Sequence, residues 1–288
     1  MRRQEVRIER KQNMKPIHCL IAGLALLTSR NLAHSATITW TNTSGGNWSV
    51  ANNWSPNQVP TNTDTALITT PGTYSVTFDL ANSIYYITNV ASLTLGAGGG
   101  AAGVQTFAIT NRQFTFTNLL VTNGGVLTAQ GANIGQGQTM IVNGGALHLA
   151  ISTINGTLIV TNGGAVISAN DSFSVVTVAN GGVLNASGSA FNRPVTVTDG
   201  GLLTVVDVQF QFSGLTVAPG GEVDISHDPA SIFTYTDLEG PLNNSGTINL
   251  TNAVLHIEGY FAYYGGLVNQ PGGVINLQGS AGLVSSVG

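Results

Sequence analysis

A Gly-Gly step recurs through the middle of the chain at nearly constant intervals, and this period restricts the fold more than any other feature of the sequence. Its first glycine falls at Gly124, Gly144, Gly163, Gly181, Gly200 and Gly220, at spacings of 20, 19, 18, 19 and 20 residues. The residue before it is Asn123, Asn143, Asn162, Asn180, Asp199 or Pro219, each a turn former. Asn and Gly accept the left-handed backbone that a tight bend demands, so every repeat bends at this point. Self-similarity at such a short period is the mark of a stacked-repeat architecture.

The flanks of the bend alternate with period two, as strands with one inward face do. After it, Leu127, Leu147, Val166, Leu184, Leu203 and Val223 form one inward column, and Ala129, Leu149, Ser168, Ala186, Val205 and Ile225 a second. Between them stand Thr128, His148, Ile167, Asn185, Thr204 and Asp224, which face outward. Before the bend, Val121, Ile141, Val160, Val178, Val197 and Val217 make one inward column, and Leu119, Thr139, Leu158, Val176, Val195 and Leu215 another with one polar exception. A third segment, at Ile134, Ile154, Phe173, Phe191 and Phe210, closes each repeat.

A repeat of this length cannot bury its apolar face alone, whereas stacked coils bury a continuous core. The expected fold is therefore all-β, a right-handed parallel β-helix (solenoid) with coils of about 20 residues and an N-terminal β cap; its hand rests on the general preference of parallel crossovers. A propeller blade needs about 40 residues and four antiparallel strands, and a sandwich would not space its bends so evenly. Beyond Gly220 the bends at Asn244-Ser245-Gly246 and Pro271-Gly272-Gly273 are more widely spaced, which predicts longer loops on the same coil path, with an excursion at Tyr260-Phe261-Ala262-Tyr263-Tyr264. The expected organisation is a signal peptide at 1–36, a Trp-rich cap with the first irregular coils at 37–118, and solenoid repeats at 119–288, looser after 225. No capping element follows Leu277, which predicts either further coils beyond the given sequence or end-to-end self-association.

The leader has a basic start, the apolar run Cys19-Leu20-Ile21-Ala22-Gly23-Leu24-Ala25-Leu26-Leu27, and small residues at Ser35 and Ala36. This is the pattern of a cleaved secretory signal, and its apolar run is far short of the roughly 20 residues a spanning helix needs. Met14, followed by Lys15, is an alternative start, and a small amphipathic anchor is the competing reading. The expected location is extracellular or on the outer cell surface, with no membrane span after cleavage.

Cys19 is the sole cysteine, so disulfides, cysteine-ligated zinc and cysteine nucleophiles are excluded from the mature chain. Seven of the nine basic residues precede residue 37, leaving Arg112 and Arg193 against eleven carboxylates and no lysine. Such a surface cannot neutralise a run of phosphates, so no nucleic-acid partner is expected and anionic membrane surfaces are poor partners.

All three tryptophans, Trp40, Trp48 and Trp54, lie close together near the mature start. They are expected to cover the first coil; an aromatic platform for stacking sugars is the alternative. The succession Gly46-Asn47-Trp48-Ser49, Asn53-Trp54-Ser55, Val59-Pro60 and Asp64-Thr65-Ala66, leading into repeated Thr-Asn-Gly-Gly units, resembles secreted bacterial proteins with autotransporter-associated β-strand repeats. The resemblance covers nearly all of the mature chain and implies a passenger-like β-helix at the cell surface or released from it. No C-terminal run of alternating strands long enough for a membrane barrel follows, unlike in a full autotransporter.

Parallel β-helices also include polysaccharide lyases and hydrolases, so the acidic stretch 207–239 needs weighing. Asp207, Glu222, Asp224 and Asp228, with Arg193 on a preceding coil, are candidate catalytic residues; His227, Asp237 and Glu239 share the stretch. Paired carboxylates could act as acid and base on a glycosidic bond, or as hard oxygen ligands for calcium. Glu222 and Asp224 are expected on one outer face, and Asp207 and His227 at equivalent places in adjacent coils. The preferred reading is a solvated face without catalysis and without a cofactor. His148 and His256 occupy outward positions in strands, where a polar ladder is expected and not a metal site. The functional expectation is a structural or adhesin-like solenoid, its partner an extracellular polysaccharide or a cell surface; a polysaccharide-degrading enzyme or a carbohydrate- or calcium-binding module is the alternative.

Overall fold

The computed structural model describes residues 35–81, 89–98, 102–211, 214–231, 235–258 and 266–286. The leader read as a signal peptide and the Tyr260–Tyr264 excursion lie outside the described residues.

From Ser35 onward the chain is a parallel β-helix built of three sheets. Face A has twelve strands, running from Thr37–Trp40 through Phe116–Thr122 and Val176–Val178 to Gly266–Asn269; all pair in parallel except Trp54–Ser55, which lies antiparallel on Thr37–Trp40. Face B has eleven, from Gly46–Asn47 through Ala146–Ala150 to Val274–Gln278, and face C has nine, from Gln113–Phe114 to Gly282–Ser286. From the coil that starts at Val90 onward each coil contributes one strand to each face, and the parallel ladder of faces A and B already runs through the segment expected to hold the cap and first irregular coils.

Most inward columns are buried as the alternation requires. The column from Leu127 to Val223 shows no exposure, and Ile134, Ile154, Phe173, Phe191 and Phe210 form one buried file on face C, in which Phe173, Phe191 and Phe210 stack with centroids 5.1 and 5.0 Å apart. One coil departs from the expected register. Met140 and Val142 pair with Leu119 and Val121 and face inward, while Thr139 and Ile141 are half-buried on the outside. The bend that follows is one residue shorter than its neighbours, which shifts the preceding strand by one position and turns its side chains over. The supposed polar exception at Thr139 therefore does not exist.

The two glycines of each bend answer to different constraints. Gly163 and Gly181 sit at φ +76° and +74° after Asn162 and Asn180, themselves at positive φ, as in a type I′ turn. Pro219 cannot take positive φ, and there only Gly220 does, as in type II. The second glycine is needed for space: a Cβ added at Gly164, Gly182 or Gly201 would lie 2.3 Å from a carbonyl oxygen of the preceding coil.

A second left-handed column, at the corner between faces B and C, did not show in the sequence. It consists of Asn111, Gly131, Ile151, Asn170, Gly188, Asp207, Asn252 and Gly279, at φ between 49° and 67°. Ile151 is the misfit, a β-branched residue at φ 53° that is also 69% exposed. Left-handed backbone costs such a residue about 1–2 kcal/mol, and Asn, which fills the same place in the adjacent coil, tolerates it better. Ile151→Asn should raise stability by about 1 kcal/mol, read as a higher urea midpoint at unchanged slope.

Several polar members of the core are paired, although among the described residues Trp48 Nε1 and Thr236 Oγ1 are buried without a partner. Ser168, the odd residue in its inward column, donates through Oγ to Oδ2 of buried Asp171 at 2.7 Å; the amide N–H groups of Ser152 and Ala169 donate to the same carboxylate at 2.5 and 2.8 Å. Burial nonetheless raises the Asp171 pKa, outweighing these hydrogen bonds. At the front, Asp64 is buried and accepts from the N–H of Ala36 and from both the N–H and hydroxyl of Thr61. Burial works to raise its pKa, but those bonds prevail and hold the carboxyl below its usual range.

Candidate functional site

The three indoles form the plug of the first coils. Trp40 and Trp48 have no exposed surface and Trp54 has 2%, with Trp40–Trp54 and Trp48–Trp54 in edge contact at 4.9 and 4.7 Å. Trp48 continues the packing onto Phe107 and Phe114. Asn53, through Nδ2, donates to the carbonyl of Asn47 and accepts from Asn42, which fixes the loop that delivers these rings. A buried ring offers no face to a sugar, so the alternative reading of Trp40, Trp48 and Trp54 as a stacking platform is overturned and the rings lie inside, where the preferred reading put them.

The candidate acids are distributed over several surfaces. Glu222 and Asp224 share the outer side of face B, as expected, and Nδ2 of Asn249 on the next coil donates to Oε1 of Glu222 and Oδ1 of Asp224, both at 2.8 Å. Asn276 continues this ladder by donating to Asn249. Asp207 is 5% exposed at the corner between faces B and C, and its Oδ1 lies 2.7 Å from His227 Nδ1 on the following coil. Its Oδ2 accepts the backbone N–H of Asp228, and Asp228 in turn accepts from the N–H of Ala230. Asp207 thus anchors the loop that begins the longer coil. A shallow depression of about 330 Å³ adjoins it, lined by Asn170, Asp207, Asp228 and Ser231 among others.

Arg193 does not join them. It is exposed on the segment between Ala190–Phe191 of face C and Val195–Val197 of face A, whereas Asp207 precedes face C. The structure therefore brings Asp207, His227 and Asp228 together, keeps Glu222 and Asp224 as a separate pair, and leaves Arg193 at a different corner.

The densest set of ionisable groups lies on the outside of face C. Register places Asp237 beside His256, and one rung further Glu239 follows Leu238 as Glu258 follows Ile257. One ligand atom from each of Asp237, His256 and Glu258 lies within 4.8 Å of the others, and His256 Nδ1 is 3.9 Å from Glu258 Oε1. The His256 ring stacks on Tyr235, centroids 4.2 Å apart and planes 6° from parallel. Among the described residues, Oδ1 of Asp237 and Oε2 of Glu239 are buried and have no hydrogen-bond donor. Burial, aided by Glu258 and Glu239 and opposed by His256, pushes the Asp237 carboxyl up to about 6. The outward position of His256 was legible from its alternation with Leu255 and Ile257; its neighbours across the strand were not.

No protein-family model and no curated protein matches the chain. Among solved structures, a TibC-catalyzed hyper-glycosylated fragment of TibA, residues 55–350, is similar over 88% of this chain and 100% of that one, at 14% identity and a TM-score of 0.23. Among the described residues, no helix is long and apolar enough to cross a membrane.

Proposed function

We propose that this chain is a secreted or cell-surface structural solenoid of adhesin-like type, which presents its outer faces to extracellular polysaccharide or a cell surface and carries out no reaction on it. The observation that supports this reading is the use made of the acids. Carboxylate oxygens of Asp207, Glu222 and Asp224 accept hydrogen bonds from neighbouring coils, and Arg193 stands apart from all of them. What the fold offers a partner is repetition. Thr128, His148, Ile167, Asn185 and Thr204 project from successive rungs of face B in register, one strand spacing of about 4.8 Å apart.

Secretion rests on the leader pattern. End-to-end association between copies belongs to the same proposal and is supported by Leu267, Val268, Val274 and Leu277, which are 40–51% exposed on the coil spanning 266–286. Such an edge takes up further strands, whether from more coils of the same protein or from a second copy.

Incubating the full chain with arrays of extracellular polysaccharides and with fixed cells tests the assignment. The expected result is retention on a surface or glycan without depolymerisation, weakened when His148→Glu and Asn185→Glu are introduced together on face B at unchanged melting temperature. Release of reducing ends or unsaturated products, abolished by Asp207→Asn or Asp224→Asn, would establish a polysaccharide-degrading enzyme instead. Failure to bind any glycan or cell would remove the adhesive role and leave a scaffold.

A further inference from the structure

Three carboxylates and one imidazole crowd a single patch of face C in a region that has almost no protein cation to offer them. Beyond residue 36 the chain contains only Arg112 and Arg193 and no lysine. Arg193 lies between Ala190–Phe191 and Val195–Val197, and Arg112 immediately precedes the first face C strand, Gln113–Phe114, so neither belongs to the rungs that carry the patch. Like charges on neighbouring rungs repel, as Glu258 and Asp237 do here, and a buried carboxylate oxygen without a donor carries its full desolvation cost. Among the described residues, Asp237 Oδ1 and Glu239 Oε2 are two such oxygens. A cation from solution offsets the repulsion among these carboxylates and can supply a partner to Asp237.

We propose that the outer surface of face C binds one divalent transition-metal ion of the zinc class through Asp237, His256 and Glu258. One imidazole nitrogen with two carboxylate oxygens suits zinc and its neighbours; calcium prefers six or more oxygens. The ligand atoms lie within 4.8 Å of one another. Tetrahedral zinc, with bonds of about 2.0–2.2 Å, needs them roughly 3.4 Å apart, a closure that small rotations of Asp237 and Glu258 supply. His256 needs no search, because its ring is held flat against Tyr235. Water or a partner's ligand completes the coordination on the solvent side.

The ligands come from two adjacent coils, Thr236–Leu238 and Val254–Glu258, which flank the longer loops of this end of the solenoid. An ion here clamps one coil to the next, so its binding is read in stability as well as in titration.

The test is isothermal titration of the chelator-treated full chain with zinc chloride, beside calcium chloride, accompanied by thermal melts. One zinc ion per chain is expected, with a rise in melting temperature that calcium does not reproduce. His256→Gln and Asp237→Asn should each weaken zinc binding by at least about tenfold while matching the parent's circular dichroism and its melting temperature in chelator. Cobalt(II) titration of the unmodified chain gives a readout free of any folding effect: hyperfine-shifted imidazole protons from one histidine are expected. Absence of zinc binding would overturn the proposal, as would zinc binding unchanged in both variants, calcium binding as tight as zinc, or a cobalt spectrum with no shifted imidazole.

Discussion

Phe191→Ala is expected to cost about 3–5 kcal/mol, among the largest losses any single truncation in this chain will produce. Phe191 has no exposure and is sandwiched between Phe173 and Phe210, with interplanar angles of 16° and 14°. Truncation removes two aromatic contacts, each worth about 0.5–1.5 kcal/mol beyond burial. It also leaves a cavity that cannot close, since the coils above and below are held at strand spacing by backbone hydrogen bonds on all three faces. Urea denaturation followed by circular dichroism measures the loss. Phe191→Leu should recover most of it, because Ile134 and Ile154 fill the same file in earlier coils; a loss below about 1.5 kcal/mol for the alanine variant would mean that the coils can collapse around the gap.

The addition of one carbon at Gly182 should be nearly as damaging. The new Cβ would meet the Val160 carbonyl oxygen at 2.3 Å and its carbon at 2.5 Å, both backbone atoms of the coil beneath. Neither can move without breaking the ladder in which Val160 pairs with Val142 and Val178. Gly182→Ala should therefore cost about 3 kcal/mol, at the upper end for overpacking. The neighbouring Gly181 is the control. An added Cβ there meets nothing closer than 3.8 Å, and only its φ of +74° matters. Gly181→Asn should cost well under about 1 kcal/mol, since Asn accepts that conformation. Equal losses at the two glycines would contradict the separation of roles.

What the sequence discloses and what it hides divide along one line. Alternation within a strand and the spacing between bends are local, and they place Leu127, Leu147 and their successors correctly in the core. They also place Glu222 with Asp224, and Asp207 opposite His227. A bend one residue short leaves the glycine spacing intact, so the inversion at Met140 and Val142 is invisible to a count made from the glycines. The corner column from Asn111 to Gly279 shares a backbone conformation and not a dipeptide, and Ile151 would never be picked as a member. The pairing that lets Ser168 face inward is not legible, because its partners, Asp171 and Ser189, lie beyond the strand and on the next coil. The tryptophans are placed as a cap by the sequence, but an exposed platform stays open as the alternative because aromatic clustering has the same sequence signature whether the rings face inward or outward. The patch at Asp237, His256 and Glu258 needed the pairing of strands on either side of irregular loops, which no fixed spacing encodes.

The longer segments after Ser226 and Glu258 leave the rungs on both sides in step: Ser226 still pairs with Thr251, and Asn244 with Asn269. Corners therefore absorb changes in length that strands would not. A gene for such a chain can gain or lose whole coils by unequal recombination between its repeats, and can acquire new segments at the corners, while each product keeps a continuous hydrogen-bonded stack. Inheritance in this architecture works on units of one turn, and foreign peptides placed at the corner after Ser226 should be displayed without unravelling what lies beneath them.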